Sequence, residues 1–94
     1  MKNSGELIKA IKSRDSSVRR HAIEMLGTRG DEIVIDALIP VLKDNNRFVR
    51  QEAIIALEKI GGERIIESLT LALVEEKDEF VRESIKKTLK RLQK

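Results

Sequence analysis

Apolar residues recur along this chain in short helical cycles, and the cycles themselves repeat. With Val18, Val49 and Val81 in register, 31 and 32 residues apart, the following positions match at fixed offsets: Arg19, Arg50 and Arg82; Ala22, Ala53 and Ile85; Leu26, Leu57 and Leu89. A second matched block precedes each of these segments: ELIKAIK at 6–12, ALIPVLK at 37–43 and SLTLALV at 68–74. Both blocks gather their apolar residues on one helical face, Leu7, Ile8 and Ile11 in the first element and Val18, Ala22, Met25 and Leu26 in the second. Strand-like alternation is not seen. The pattern predicts an all-α fold of six helices in three antiparallel pairs.

The expected boundaries agree. Asp15, Asn46 and Asp78 stand three residues before the aligned valines, where a side-chain oxygen can accept from the free amides of a starting helix. Gly30 and Gly61 follow twelve residues after Val18 and Val49, positions suited to the left-handed residue that closes a helix. The next helices open at DEIVIDAL, 31–38, and GERIIESL, 62–69, with Glu32 and Glu63 near the positive helix end.

One helical pair cannot hide its own apolar stripe, so neighbouring pairs must share a core, and three units make about the smallest stable stack. The units are expected at about 3–30, 31–61 and 62–94, within a single domain spanning 1–94. Ile23 and Ile54 should face the following pair, and the third equivalent is Lys86. At the other end, Val34, Ile35 and Ile65, Ile66 are matched by Asn3 and Ser4. Polar residues on both flanks suit capping units, and the expectation is a self-contained, monomeric stack.

Composition narrows the chemistry. The chain has no cysteine, which removes disulfides and thiolate metal sites and makes a cytoplasmic location the default expectation. No apolar run approaches the roughly 20 residues needed to span a bilayer, and the start, MKNSGELIKAIK, lacks a signal-type apolar region. Nineteen Lys and Arg against 16 Asp and Glu leave a net +3, a mixed-sign surface rather than a polybasic one. Two Phe, with no Trp or Tyr, require an aliphatic core and weaken any mechanism that stacks bases on rings.

The segment DNNRFVRQEAIIAL at 44–57, preceded by ALIPVLK, resembles HEAT-like repeats, in the short form of the phycobilin lyase group. The resemblance implies a right-handed α-α superhelix, an α-solenoid of three helical hairpins. It also accounts for Pro40 inside a first helix, where a proline would otherwise cost about 3 kcal/mol. It further implies a ladder between adjacent units, in which a turn acid pairs with the arginine six residues later. Asp44 with Arg50 and Glu76 with Arg82 match it, whereas Ser13 replaces the acid before Arg19. These arginines are read as structural, each fork satisfying turn carbonyls and a carboxylate together.

No constellation for catalysis emerges. His21 is the only histidine, and one imidazole makes neither a triad nor a metal site. The iron-binding His-Glu pairs of deoxyhypusine hydroxylase, a HEAT-like enzyme, would fall at Arg20-His21, Gln51-Glu52 and Glu83-Ser84, and none is retained. Gly61-Gly62 lacks the lysine pattern of a phosphate loop. We therefore expect no enzyme activity, catalytic residue, metal or cofactor.

Second helices usually line the inner side of such solenoids, and angular placement predicts rows across it. The rows are Arg20, Gln51, Glu83; Glu24, Ile55, Lys87; and Thr28, Lys59, Arg91. Ile55 is an apolar centre in a charged rim, which suits a protein or peptide partner. The basic end, SIKKTLKRLQK at 84–94, supports nucleic-acid binding as an alternative. A non-catalytic subunit of an enzyme complex is a further alternative, and membrane attachment is not expected.

Overall fold

An Asn or Asp side chain opens five of the six α-helices by accepting from free amides of the first turn. In the computed structural model, which describes residues 2–94, these helices are α1 (Ser4–Ala10), α2 (Ser16–Leu26), α3 (Glu32–Leu38), α4 (Arg47–Ile60), α5 (Glu63–Glu75) and α6 (Glu79–Leu92). A 3₁₀ segment, Ile39–Lys43, prolongs α3, and no strand occurs among the described residues. Asp15, Asn46 and Asp78 cap α2, α4 and α6, with oxygens 2.8, 2.8 and 3.1 Å from the amides of Ser17, Phe48 and Val81. Asn3 and Asp31 serve α1 and α3 in the same way.

The remaining helix, α5, begins after a glycine break. Gly61 and Gly62 have φ of 71° and 104° with ψ of −177° and 166°, a region open essentially to glycine alone. Gly30 does not behave like Gly61, contrary to its placement in the repeat. Positive φ among the described residues is confined to Gly61 and Gly62, and α2 stops at Leu26 with Gly27 in right-handed conformation behind it. The glycine that matters there is Gly27: a Cβ on it would lie 3.0 Å from Cα and Cβ of Ala56, so its missing side chain lets α2 approach α4.

Pro40 explains the interruption of α3. Without an amide hydrogen it cannot continue the α-helical bonding, and the chain tightens into the 3₁₀ segment at that point. The equivalent stretch of unit three, with Leu71 in the proline position, stays within the continuous helix α5.

Packing follows the repeat. The α1/α2, α3/α4 and α5/α6 pairs associate, and α2, α4 and α6 lie against one another in turn. The extents of 33 × 24 × 15 Å are those of a two-layer slab. The core is wholly aliphatic, built from Leu, Ile, Val and Ala, while both phenylalanines lie at the surface. Ile23 and Ile54 are sealed between pairs, and their counterpart Lys86 is exposed.

One expected core position lies elsewhere. Val49 and Val81 are fully buried, but Val18 is 43% exposed. The later valines stand on α4 and α6, each of which packs on the second helix of the preceding pair. No described pair precedes α2, so Val18 borders an end-face hollow with Leu7, Ala10 and Ala22.

Candidate functional site

The stack is tied together at its turns by arginines. Arg19 Nη1 donates to the Ser13 carbonyl at 2.8 Å, and its Nε and Nη2 hold the Asp44 carboxylate at 3.0 and 3.2 Å. Arg50 repeats the arrangement, with Nη1 on the Asp44 carbonyl and Nε and Nη2 on Glu76. Each fork thus takes a carbonyl from its own turn, six residues back, and a carboxylate from the next unit. The carboxylate partner is shifted by one unit from the acid six residues earlier that the resemblance implies. The reason is reach: the side chain crosses the junction between hairpins, so one planar group bonds two units. Arg82 donates Nη1 to the carbonyls of Leu73 and Glu76.

The second helices form the inner layer. They pack closely on one another, whereas grooves lined by Ile8, Ala37 and Pro40, and by Ile39, Leu71 and Val74, separate the first helices. On the inner layer, Arg20, Glu24, Lys59, Glu83 and Lys87 are exposed, and Ile55 is 40% exposed. Glu83 has only a long contact with Lys86, 3.7 Å. Gln51 and Arg91 are engaged within the protein. Gln51 Nε2 donates to Ser84 Oγ at 2.6 Å, 33 residues on, and its Oε1 is buried. Arg91 holds Glu58 with Nε and Nη2, so it neighbours Glu58 rather than extending a row from Lys59. That hydrogen bond, ahead of the charge attraction, lowers the Glu58 pKa against the upward pull of burial.

Two residues that the row argument missed stand on the same layer. Phe48 and Phe80 are 52% and 56% exposed, one position before Val49 and Val81. The Arg47 guanidinium lies over both rings, 5.5 Å from the Phe48 centroid and 5.4 Å from that of Phe80, and Arg20 lies 5.8 Å from Phe48. Asp78 in turn pairs with Arg47 at 3.1 Å. The result is a band of alternating cation and ring, Arg20, Phe48, Arg47, Phe80, running across three helices. A shared offset in two units was the available sequence signal. It was obscured because two phenylalanines in an aliphatic protein are more readily counted than placed.

Among the described residues, no group of three or more His, Asp or Glu side chains is arranged to hold a metal ion. His21 is exposed on α2. No helix among the described residues is long and apolar enough to cross a membrane.

Three stacked helical hairpins, joined through arginine forks and presenting an open layer of second helices, define an all-α helical-repeat protein. The chain belongs to the HEAT repeat family, whose model, described as HEAT repeats, matches residues 5–90. Repeats of this family commonly act as protein-interaction scaffolds and are generally non-catalytic. No curated protein matches the chain.

Proposed function

We propose that this protein is a non-enzymatic interaction module, an α-solenoid adaptor that binds a protein or peptide segment across the layer of second helices. The observation that carries this reading is the joint exposure of Phe48, Ile55 and Phe80 on that layer. Phe48 and Ile55 lie seven residues apart on one face of α4, two helical turns along a single stripe. Around them stand the exposed charges Arg20, Glu24, Lys59, Glu83 and Lys87. Desolvating a few apolar anchors supplies affinity, and a mixed-sign rim selects among partners and sets the encounter rate.

The nucleic-acid reading has less behind it. Lys87 and Lys90 are exposed on α6, but Arg91 is neutralised by Glu58, and the exposed rings already carry guanidinium groups.

Affinity capture with the wild-type protein and with Ile55→Asp and Phe48→Ser tests the proposal. A specific protein partner retained by the wild type should be lost from both variants while their circular dichroism is unchanged. Retention indifferent to both substitutions would remove this surface from consideration. Retention of nucleic acid that collapses with salt and with neutralisation of Lys87 and Lys90 would favour the alternative.

A further inference from the structure

The arginine ladder changes its rule at its two ends. In the interior, the turn acid does two things at once. Asp44 Oδ1 accepts from the Asn46 amide at 2.9 Å, and Glu76 Oε2 from the Asp78 amide at 3.0 Å, while the same carboxylates receive Arg19 and Arg50. At the first turn Ser13 keeps only the local task, its Oγ accepting from the Asp15 amide at 3.1 Å. There the acceptor is neutral, and no described arginine precedes it. At the last turn the donor is still charged. Arg82 Nη1 is held by the carbonyls of Leu73 and Glu76 at 2.7 and 2.9 Å, and its Nε and Nη2 have no acceptor among the described residues.

Two more cations share that face. Lys86 occupies the place of Ile23 and Ile54, which are buried by the following unit. Lys90 occupies the place of Gly27 and Glu58; Gly27 abuts Ala56, and Glu58 bonds Thr88 and Arg91. Arg82, Lys86 and Lys90 are four residues apart, so they form one stripe of α6. Every position in it has interior equivalents that touch the next hairpin.

We propose that this stripe docks an acidic helical hairpin of a partner, with a turn Asp or Glu seated on the Nε–Nη2 edge of Arg82. This surface is distinct from the inner layer of second helices. The guanidinium is already oriented by its two carbonyl acceptors, so seating a carboxylate requires little further ordering. The contact continues the two interior junctions with the same fork geometry. The lysines add the requirement that the partner present acidic rather than aliphatic groups opposite positions 86 and 90. A second copy stacked end to end does not meet it, because the face it would bring carries Ser13 where the acid belongs.

Mixing the wild-type chain with the triple variant Ser13→Asp/Thr28→Glu/Arg82→Gln tests this: the variant brings a turn acid for Arg82 and, at the first-unit equivalent of Arg91, which bonds Glu58, an acid opposite position 90. Sedimentation at low salt should show a one-to-one complex, with neither protein associating alone. Replacing the wild-type component by Arg82→Gln should weaken the complex at least about tenfold. Lys86→Glu/Lys90→Glu, confined to exposed positions, should weaken the complex at low salt and keep the fold. A mixture that stays monomeric overturns the proposal. So does a complex whose affinity and salt response ignore both sets of substitutions, and so does self-association of the wild type that depends on Arg82.

Discussion

Arg50 spans the junction between the second and third hairpins, with Nε and Nη2 on the Glu76 carboxylate at 2.9 and 3.1 Å and Nη1 on the Asp44 carbonyl at 2.8 Å. The Glu76 side chain is only 6% exposed. Removing the arginine therefore leaves a carboxylate that water hardly reaches. Arg50→Ala should destabilise the protein by about 3 kcal/mol. Arg64→Ala, which breaks pairs with Glu32 and Asp36 on the solvated outer side, should cost far less than Arg50→Ala. Urea unfolding checks both, the shift appearing in the midpoint at unchanged slope.

The three aligned valines should not be energetically equivalent. Val49→Ala and Val81→Ala empty sealed positions and should each cost about 2 kcal/mol, whereas Val18→Ala, at an uncovered end, should cost less than about 0.5 kcal/mol. Equal losses at all three sites would mean that Val18 is covered in solution.

Gly61 and Gly62 carry backbone conformations that an L side chain adopts only under strain, and Gly62 has nothing within 4 Å of a built Cβ. Gly62→Ala therefore isolates the backbone cost and should destabilise by about 1–3 kcal/mol without any clash. Thermal unfolding of the single variant measures it.

Acid sensitivity should trace in part to Glu58. Its folded-state pKa lies below the ordinary 4.5 because Arg91 donates to it. The stabilisation is thus complete above 4.5 and disappears as pH falls through the lower folded value. Glu58→Gln should be less stable than wild type at pH 7, and the difference should vanish at low pH. Added salt should shrink it as well, since the pair lies at the surface. A gap between the two proteins that persists in acid would assign the loss to packing instead.

Ile55→Asp should cost only about 1 kcal/mol, because the side chain is 40% exposed and gives up partial rather than full apolar burial, with a small further loss of helix propensity. A larger loss would identify Ile55 as a core residue and weaken its assignment to partner binding.

Much of this architecture is legible without coordinates because it rests on local periodicity. The spacing of Leu26, Leu57 and Leu89 specifies buried helical faces, and the caps Asp15, Asn46 and Asp78 act within three residues of themselves. Such features depend on neighbours along the chain, which a repeat displays three times over. The positions read differently in three dimensions are those whose surroundings come from another unit. Val18 has the sequence of a core valine, but no described pair covers it; Gly30 has the spacing of Gly61, but α2 has already ended where Gly27 meets Ala56. Asp44 reads as the partner of Arg50 and gives that residue only its carbonyl, because its carboxylate belongs to Arg19. The chain by itself determined the helices, their pairing and the aliphatic seam, all set by short-range periodicity and the burial it demands. Only the tertiary structure decided which charges are neutralised across a junction, that Phe48 and Phe80 stay exposed beside arginines, and that the Nε–Nη2 edge of Arg82 meets no acceptor among the described residues, since each depends on what the adjoining hairpin places beside it.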